Sequence, residues 1–177
     1  MRREFALRRC GRMKKMTYTE LCREVRGANL VLVGIGEDLE GDLDGFYRSL
    51  SELLQKKDYF IVTLKDRDSL EKAGLFSEQI TAPLQKGEDA VSWDRYLNWL
   101  GFTLNQNLCI LELGVGFLRP EVIRFPFEKT CYFNQKSRYI RVHDRFWQLS
   151  AEIADRGVSV GQPPAVFFTE GREEAAQ

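Results

Sequence analysis

The residues of this chain that could bind a ligand lie in two short glycine turns. The first spans residues 34–36 and follows the apolar run 30–33, and the second spans residues 114–116 after the predicted strand 108–113. Glycine adopts backbone angles that other residues resist, and its missing side chain lets a phosphate group approach the backbone. Such turns are equally typical of close packing between loops. The chemistry they could support is the binding of a phosphate-bearing ligand.

Charged groups at two further strand ends extend this hypothesis. Lys65 and Arg67 follow the apolar segment 59–64, and His143, the single histidine, follows residues 139–142. The two cations could meet an anionic ligand, and the histidine could stack on a nucleotide or hydrogen-bond to it. Lysine and arginine at a strand end are also commonly solvated, and a single histidine there is commonly structural.

The cysteines do not form a metal or redox motif. The four cysteines are widely spaced along the chain, at Cys10, Cys22, Cys109 and Cys131. No pair has the close spacing of half a zinc site or of a redox CxxC motif. We therefore predict buried thiols and no structural zinc.

Strands that alternate with helices must position these residues. A capping-box pattern at Thr17 and Glu20 predicts that ordered structure begins there. The predicted strands are residues 30–33, 59–64, 108–113 and 139–142, with an edge strand at 166–168. The predicted helices are residues 17–26, 43–54 and 68–73, a helix capped by Ser92, and residues 146–154, with a mobile loop from 74 to 91. This order predicts an α/β, Rossmann-like parallel sheet with helices on both faces.

Length and composition bound the domain organisation. A chain of 177 residues with 44% apolar residues can bury the core of one domain. We predict a disordered basic leader at residues 1–16, a single domain at 17–169 and a disordered tail at 170–177. No apolar run approaches the roughly 20 residues that cross a membrane, and no secretory signal is evident. The sequence therefore predicts a cytoplasmic protein without a membrane partner.

Charge is distributed unevenly along the chain. Of 26 basic residues seven lie in residues 1–15, which hold one of the 26 acidic residues, so the remaining body is acidic. A basic arm could contact nucleic acid or acidic lipid; it is also explained by a disordered leader, or by a start at Met13 or Met16. The acidic body argues against a nucleic-acid-binding surface.

The stretch LNQNLCILELGVGF at residues 104–117, followed by RPEVIRFPFE, resembles the third-strand region of sirtuins, above all the microbial macrodomain-linked class. The resemblance continues through Trp93, Tyr96, Trp99 and Leu100 and through residues 139–142, and Gly34, Ile35 and Gly36 resemble the first GAG turn of that family. It implies a Rossmann-like domain with a nicotinamide dinucleotide lying across both glycine turns.

The same comparison implies that catalytic positions have been lost. Sirtuins have small residues after the first turn, where this chain has Glu37 and Asp38, and two carboxylates would repel a diphosphate; acids there also stabilise a helix N-terminus. The family's TxNxD motif keeps Thr63, but its Asn and Asp become Lys65 and Arg67. Its zinc module and its helical lid are absent from this chain.

The position of the general base in sirtuins has its nearest counterpart at Gln85, and a glutamine cannot take a proton at neutral pH. We therefore predict no catalytic residues and no metal ligands. The predicted cofactor-binding residues are Gly34, Ile35, Gly36, Thr63, Lys65, Arg67, Gln85, Gly114, Val115, Gly116 and His143.

Two functions stay open. The first is a catalytically degenerate sirtuin-like domain that binds NAD, ADP-ribose or a related nucleotide weakly, or that acts as an interaction or regulatory protein. The second is an NAD-consuming ADP-ribosyltransferase or deacylase of an atypical mechanism. An interaction protein would carry an exposed apolar patch, with Trp147, Phe167 and Phe168 as candidates.

Overall fold

A computed structural model of the chain describes residues 16–87 and 90–176. Residues 1–15, for which we predict a disordered leader, lie outside these ranges, as do Glu88, Asp89 and Gln177.

Helices and strands alternate along the described chain. The helices are α1 (Tyr18–Gly27), α2 (Leu43–Leu54), α3 (Arg67–Lys72), α4 (Ala90–Phe102), α5 (Arg124–Phe133) and α6 (Pro164–Ala175), with a short 3-10 turn at Ser77–Gln79. The strands are β1 (Leu30–Ile35), β2 (Asp58–Thr63), β3 (Ile80–Thr81), β4 (Leu108–Leu113), β5 (Arg138–Val142) and β6 (Gly157–Val160). Among these helices, none is both long and apolar enough to cross a membrane.

The six strands form one sheet in the order β3-β2-β1-β4-β5-β6. Every neighbouring pair is parallel. This order is that of the doubly wound Rossmann-like sheet, whose connections reverse direction between β1 and β4. The predicted α/β parallel sheet is therefore confirmed. In such sheets ligands bind beyond the carboxyl ends of the strands at the point of reversal, which here is where both glycine turns lie.

Helices cover both faces of the sheet. Residues of α1, α2, α3 and α6 pack on one face, with Phe46 and Phe168 in edge-to-face contact at 4.9 Å between ring centroids. Residues of α4 and α5 pack on the other face, where Tyr96 and Phe127 are buried. Burying an aromatic side chain of this size contributes about 1.5–3 kcal/mol, so the two layers hold the strands in a fixed register.

The helix ends follow the local sequence. Thr17 and Glu20 form the predicted capping box at the start of α1, with the Glu20 N–H donating to Thr17 Oγ1 at 3.2 Å. At the other end of α1, the Lys57 ammonium donates to the carbonyls of Arg26 (2.8 Å) and Ala28 (2.7 Å). Carbonyl groups without helical partners are thereby satisfied. The Asp66 carboxylate caps α3 by accepting from the Ser69 N–H at 3.0 Å.

Two predicted elements near the middle of the chain differ from the structure. The predicted mobile loop 74–91 contains β3, and α4 begins at Ala90, ahead of Ser92. Ser92 is buried and its hydroxyl pairs with the Thr81 hydroxyl at 2.9 Å, so it joins α4 to the sheet and does not cap the helix. β3 has two residues, which are too few to show the alternation of apolar and polar side chains that predicts a strand.

The end of the chain also differs. The predicted helix 146–154 is wrong, because these residues form an irregular stretch and turns before β6, which the sequence did not predict. Buried guanidinium groups of Arg124 and Arg141 bind the carbonyls of Phe146 and Gln148. The predicted edge strand 166–168 is also wrong, because these residues lie in α6, whose first residue is Pro164. Residues 170–175, which we expected to be disordered, continue this helix.

Candidate functional site

The two glycine turns meet at the carboxyl ends of β1 and β4. The Gly36 N–H donates to the Leu113 carbonyl at 2.9 Å. A Cβ atom built on Gly36 would lie 2.3 Å from the Gly114 carbonyl oxygen and from Val115 Cα. No side chain fits at that distance, so glycine at position 36 lets the two turns pack directly on each other.

The other residues of these turns also face the protein's own atoms. A Cβ on Gly34 would lie 2.4 Å from the Ile123 side chain, so this glycine admits α5 onto the sheet. Gly114 has φ +63°, where glycine is favoured, and its N–H donates to the Val142 carbonyl at 3.0 Å. Ile35 and Val115 are buried.

Glu37 and Asp38 lie over the second glycine turn. A Cβ on Gly116 would lie 2.7 Å from Asp38 Oδ2 and 2.9 Å from Glu37 Oε1. The Glu37 carboxylate accepts from the Leu118 N–H at 2.9 Å, and the Asp38 N–H donates to the Gly114 carbonyl at 2.9 Å. Two carboxylates therefore cover the backbone of the second glycine turn at Gly116. We call Glu37 and Asp38 the acidic pair.

His143 contacts Asp38 of this acidic pair and is 1% exposed. Its Nε2 lies 3.1 Å from Asp38 Oδ2, and Asp144 Oδ1 lies 2.9 Å from its Nδ1. The Arg145 guanidinium, which is mostly exposed, contacts the same Asp38 oxygen at 3.3 Å. The ring also packs against Phe146 at 5.0 Å between centroids. The histidine is thus enclosed by residues of the chain.

The polar residues predicted at the end of β2 are brought together, but they bind each other. The Arg67 N–H donates to Gln85 Oε1 at 3.0 Å, and its guanidinium pairs with Glu71 at 2.8 Å and donates to the Ser77 carbonyl at 2.7 Å. Hydrogen bonding to Arg67 lowers the pKa of the Glu71 carboxyl below its usual value. These contacts tie α3 to the segments before and after β3.

Thr63 and Lys65 complete the predicted site. Thr63 is fully buried at the end of β2, and its hydroxyl oxygen accepts from the Lys65 N–H at 2.9 Å. The Leu64 N–H donates to the Ile35 carbonyl at 2.8 Å, which joins this strand end to the first glycine turn. The Lys65 side chain is half-buried.

A buried cluster of charges beneath the second glycine turn was not predicted. Glu112 on β4 is fully buried and contacts Arg141 Nε at 2.8 Å, Arg141 Nη2 at 2.9 Å and Arg124 Nη2 at 3.0 Å. The Tyr139 hydroxyl donates to the same carboxylate, and Glu128 adds a second anion on Arg141. We call these five residues the Glu112 cluster. The signal was a glutamate inside the otherwise apolar strand LCILEL.

Burial and opposite charge act on the cluster together. Burial raises the pKa of the Tyr139 hydroxyl, and the Glu112 carboxylate raises it further. For Arg141, burial by itself would lower the pKa, but Glu112 and the other neighbours outweigh it and the pKa lies above its usual value. Burial lowers the pKa of Arg124 against the attraction of Glu112. Both guanidinium groups stay charged at neutral pH.

The Glu112 cluster supports the second glycine turn, and within it the buried Arg124 Nε has no hydrogen-bond partner. Arg124 donates to the Val115 carbonyl in the second glycine turn, and its guanidinium carbon lies 4.6 Å from the centre of the Phe117 ring. Both Glu112 oxygens bind arginine. The cluster therefore fixes the turn to β5 and to the segment before β6.

Two cysteines and two of the three residues predicted for an apolar surface are buried. Cys109 and Cys131 are buried, and burial raises the pKa of the Cys109 thiol to about 12. Phe167 and Phe168 are buried in the core, whereas Trp147 is half-buried. In the described ranges, no group of three or more His, Cys, Asp or Glu residues could hold a metal ion.

No family model matches the chain, and no curated protein matches it significantly.

Proposed function

We propose that this chain is a catalytically degenerate sirtuin-like domain whose dinucleotide crevice is closed by its own acidic pair, and that it acts as an interaction or regulatory protein. The observation that carries the proposal is the position of the acidic pair. Asp38 Oδ2 and Glu37 Oε1 come within 2.7 and 2.9 Å of a Cβ on Gly116, where a diphosphate would need open backbone.

Electrostatics supports the exclusion of a dinucleotide. Two unit charges 4 Å apart interact by about 4 kcal/mol at an effective dielectric constant of 20. Each carboxylate of the acidic pair would repel a diphosphate with an energy of this order, and solvent screening at this partly exposed site would reduce that energy. A ligand would also have to displace the Asp38 contacts with His143 and Arg145.

Two of the residues predicted to contact the cofactor, Arg67 and His143, also favour the proposal, because their side chains bind within the chain. Arg67 binds Gln85, Glu71 and Ser77, and His143 lies between Asp38 and Asp144. Weak binding of ADP-ribose would require the acidic pair to move aside. Catalysis by an atypical mechanism would require the same movement.

Titration calorimetry with NAD, ADP-ribose and nicotinamide tests the proposal. We expect no saturable binding to the wild-type chain at micromolar ligand and no release of nicotinamide from NAD. We expect the Glu37→Ala/Asp38→Ala variant to bind ADP-ribose at least ~10-fold more tightly than the wild type, because about 1.4 kcal/mol of repulsion corresponds to a factor of ten.

The Glu40→Ala variant is the matched control, since Glu40 is an exposed acid two residues beyond the pair. It removes a nearby charge without opening the crevice, and we expect it to behave as the wild type does. Micromolar binding of ADP-ribose by the wild-type chain, or nicotinamide release, would overturn the proposal and favour the enzyme hypothesis.

A further inference from the structure

The outer surfaces of α4 and α5 carry large apolar side chains that the fold leaves exposed. Phe102, at the end of α4, is 79% exposed, which is unusual for phenylalanine. Four more large side chains on this face are at least half exposed. The five, which we call the α4–α5 patch, are Phe102, Leu104, Phe125, Tyr132 and Phe133.

Tertiary contacts bring the two helix ends together. The Asn134 side-chain amide, at the end of α5, donates to the Thr103 carbonyl at 2.9 Å and to the Gln106 carbonyl at 3.1 Å. These bonds bring Phe102 and Leu104, which flank Thr103, close to Phe133 at the end of α5. Tyr132 and Phe133 are in edge-to-face contact at 5.2 Å. The patch is therefore shared by both helices.

A groove lies between α5 and the segment before β6. It has a volume of about 290 Å³. Its lining residues are Phe125, Glu128, Lys129, Tyr132, Glu152 and Ile153. An enclosed apolar cavity of about 150 Å³ is enough to hold benzene, and this open groove is larger, with the Phe125 and Tyr132 rings among its walls. The layer thus presents both a protruding ring and a space of matching size.

The area of the patch matches what a stable dimer needs. An aromatic side chain buries about 150–250 Å² in full, so four aromatic side chains that are half or more exposed offer on the order of 350–600 Å². A standard interface takes about 800 Å² from each partner, of which roughly 60% is apolar, or about 500 Å². The patch supplies the apolar centre of such an interface.

We propose that the α4–α5 patch is the interface of a homodimer in which Phe102 of each copy occupies the groove of the other. A twofold dimer uses the same surface on both copies, so that surface must carry its own complement, as a ring and a groove do here. This inference does not depend on the proposed function.

Sedimentation equilibrium of the full chain, from micromolar to several hundred micromolar concentration, tests the dimer. We expect the mass to rise from 20.5 kDa to twice that value. We expect Phe102→Ser to weaken dimerisation at least ~30-fold, because a central aromatic anchor contributes 2 kcal/mol or more and 1.4 kcal/mol is tenfold. Phe76→Ser is the control, since Phe76 is 69% exposed outside the patch, and the mass curve should not change.

A mixing experiment separates the ring-in-groove contact from a general apolar surface. Tyr132→Glu disrupts the groove but keeps Phe102, whereas Phe102→Ser keeps the groove. An equimolar mixture retains one of the two contacts, so it should dimerise more strongly than either variant alone. Far-UV circular dichroism checks that both variants fold. A wild-type chain that stays monomeric throughout, or a dimer that Phe102→Ser leaves unchanged, overturns the proposal.

Discussion

The Glu112→Gln substitution should destabilise the fold more than an ordinary change of charge. Glu112 is fully buried, and its carboxylate binds Arg141 through two bonds and Arg124 through a third. A glutamine of the same shape removes the negative charge and leaves two buried guanidinium groups, with only Glu128 to balance them. Removing one partner of a buried ion pair costs about 3–5 kcal/mol.

This cost corresponds to a large change in the melting temperature. For chains of 150–250 residues each kcal/mol shifts Tm by about 2–4 °C, so Tm should fall by roughly 6–20 °C. Urea unfolding followed by circular dichroism gives the free energy of unfolding, and differential scanning calorimetry gives Tm. Both should be measured near neutral pH, where the two arginines are charged.

Glu128→Gln is the matched control. Its carboxylate binds the same arginine, but its side chain is 19% exposed, so water can replace part of the lost interaction. We expect it to lower the free energy of unfolding by less than half as much as Glu112→Gln does. If the two variants are equally stable, or if Glu112→Gln costs under about 1 kcal/mol, the buried charges are not held as we describe.

Three further predictions test the turns, the thiols and one helix cap. Gly36→Ala should lower the free energy of unfolding by about 1–3 kcal/mol or more, because the new Cβ would meet backbone atoms at 2.3 Å. A Cβ on Gly101 would have no atom within 4 Å, so the control Gly101→Ala should be neutral or stabilising in the same urea experiment. Burial raises the pKa of the Cys22 and Cys109 thiols, but Cys22 is only half-buried. Peptide mapping after alkylation at pH 8 should therefore find Cys22 labelled well before Cys109. Equal labelling rates would contradict the burial of β4. The Ser69 hydroxyl and two backbone N–H groups lower the pKa of the Asp66 carboxyl. Asp66→Ala should therefore lower the free energy of unfolding by about 1 kcal/mol at neutral pH, and the difference from the wild type should shrink as the pH falls below about 4 through that lowered pKa. A constant difference down to pH 2 would refute the cap.

Local sequence determined several elements along the chain. The capping box at Thr17, the amphipathic spacing of residues 43–54 and the apolar runs that became β1, β2 and β4 each report on a short segment, and each element formed as predicted. The parallel sheet followed, because alternating strands and helices have few other ways to bury their apolar faces.

Tertiary structure decided what the glycine turns do. The spacing of Gly34 and Gly36 is the same whether a turn receives a phosphate or another turn. Only the folded chain brings Gly114 within 2.3 Å of a Cβ on Gly36 and lays the acidic pair over Gly116. Glu37 and Gly116 are far apart in sequence, so no local pattern reports their contact.

Long-range contacts also decided the end of the chain. Residues 146–154 have an apolar pattern that favours a helix, but their carbonyls accept hydrogen bonds from Arg124 and Arg141. The apolar run at 166–168 has no period that separates strand from helix, and packing against α1 and α2 makes it a helix. Sequence by itself therefore determined the segments whose preferences are local, whereas the tertiary structure decided those whose conformation depends on hydrogen bonds or packing with other elements.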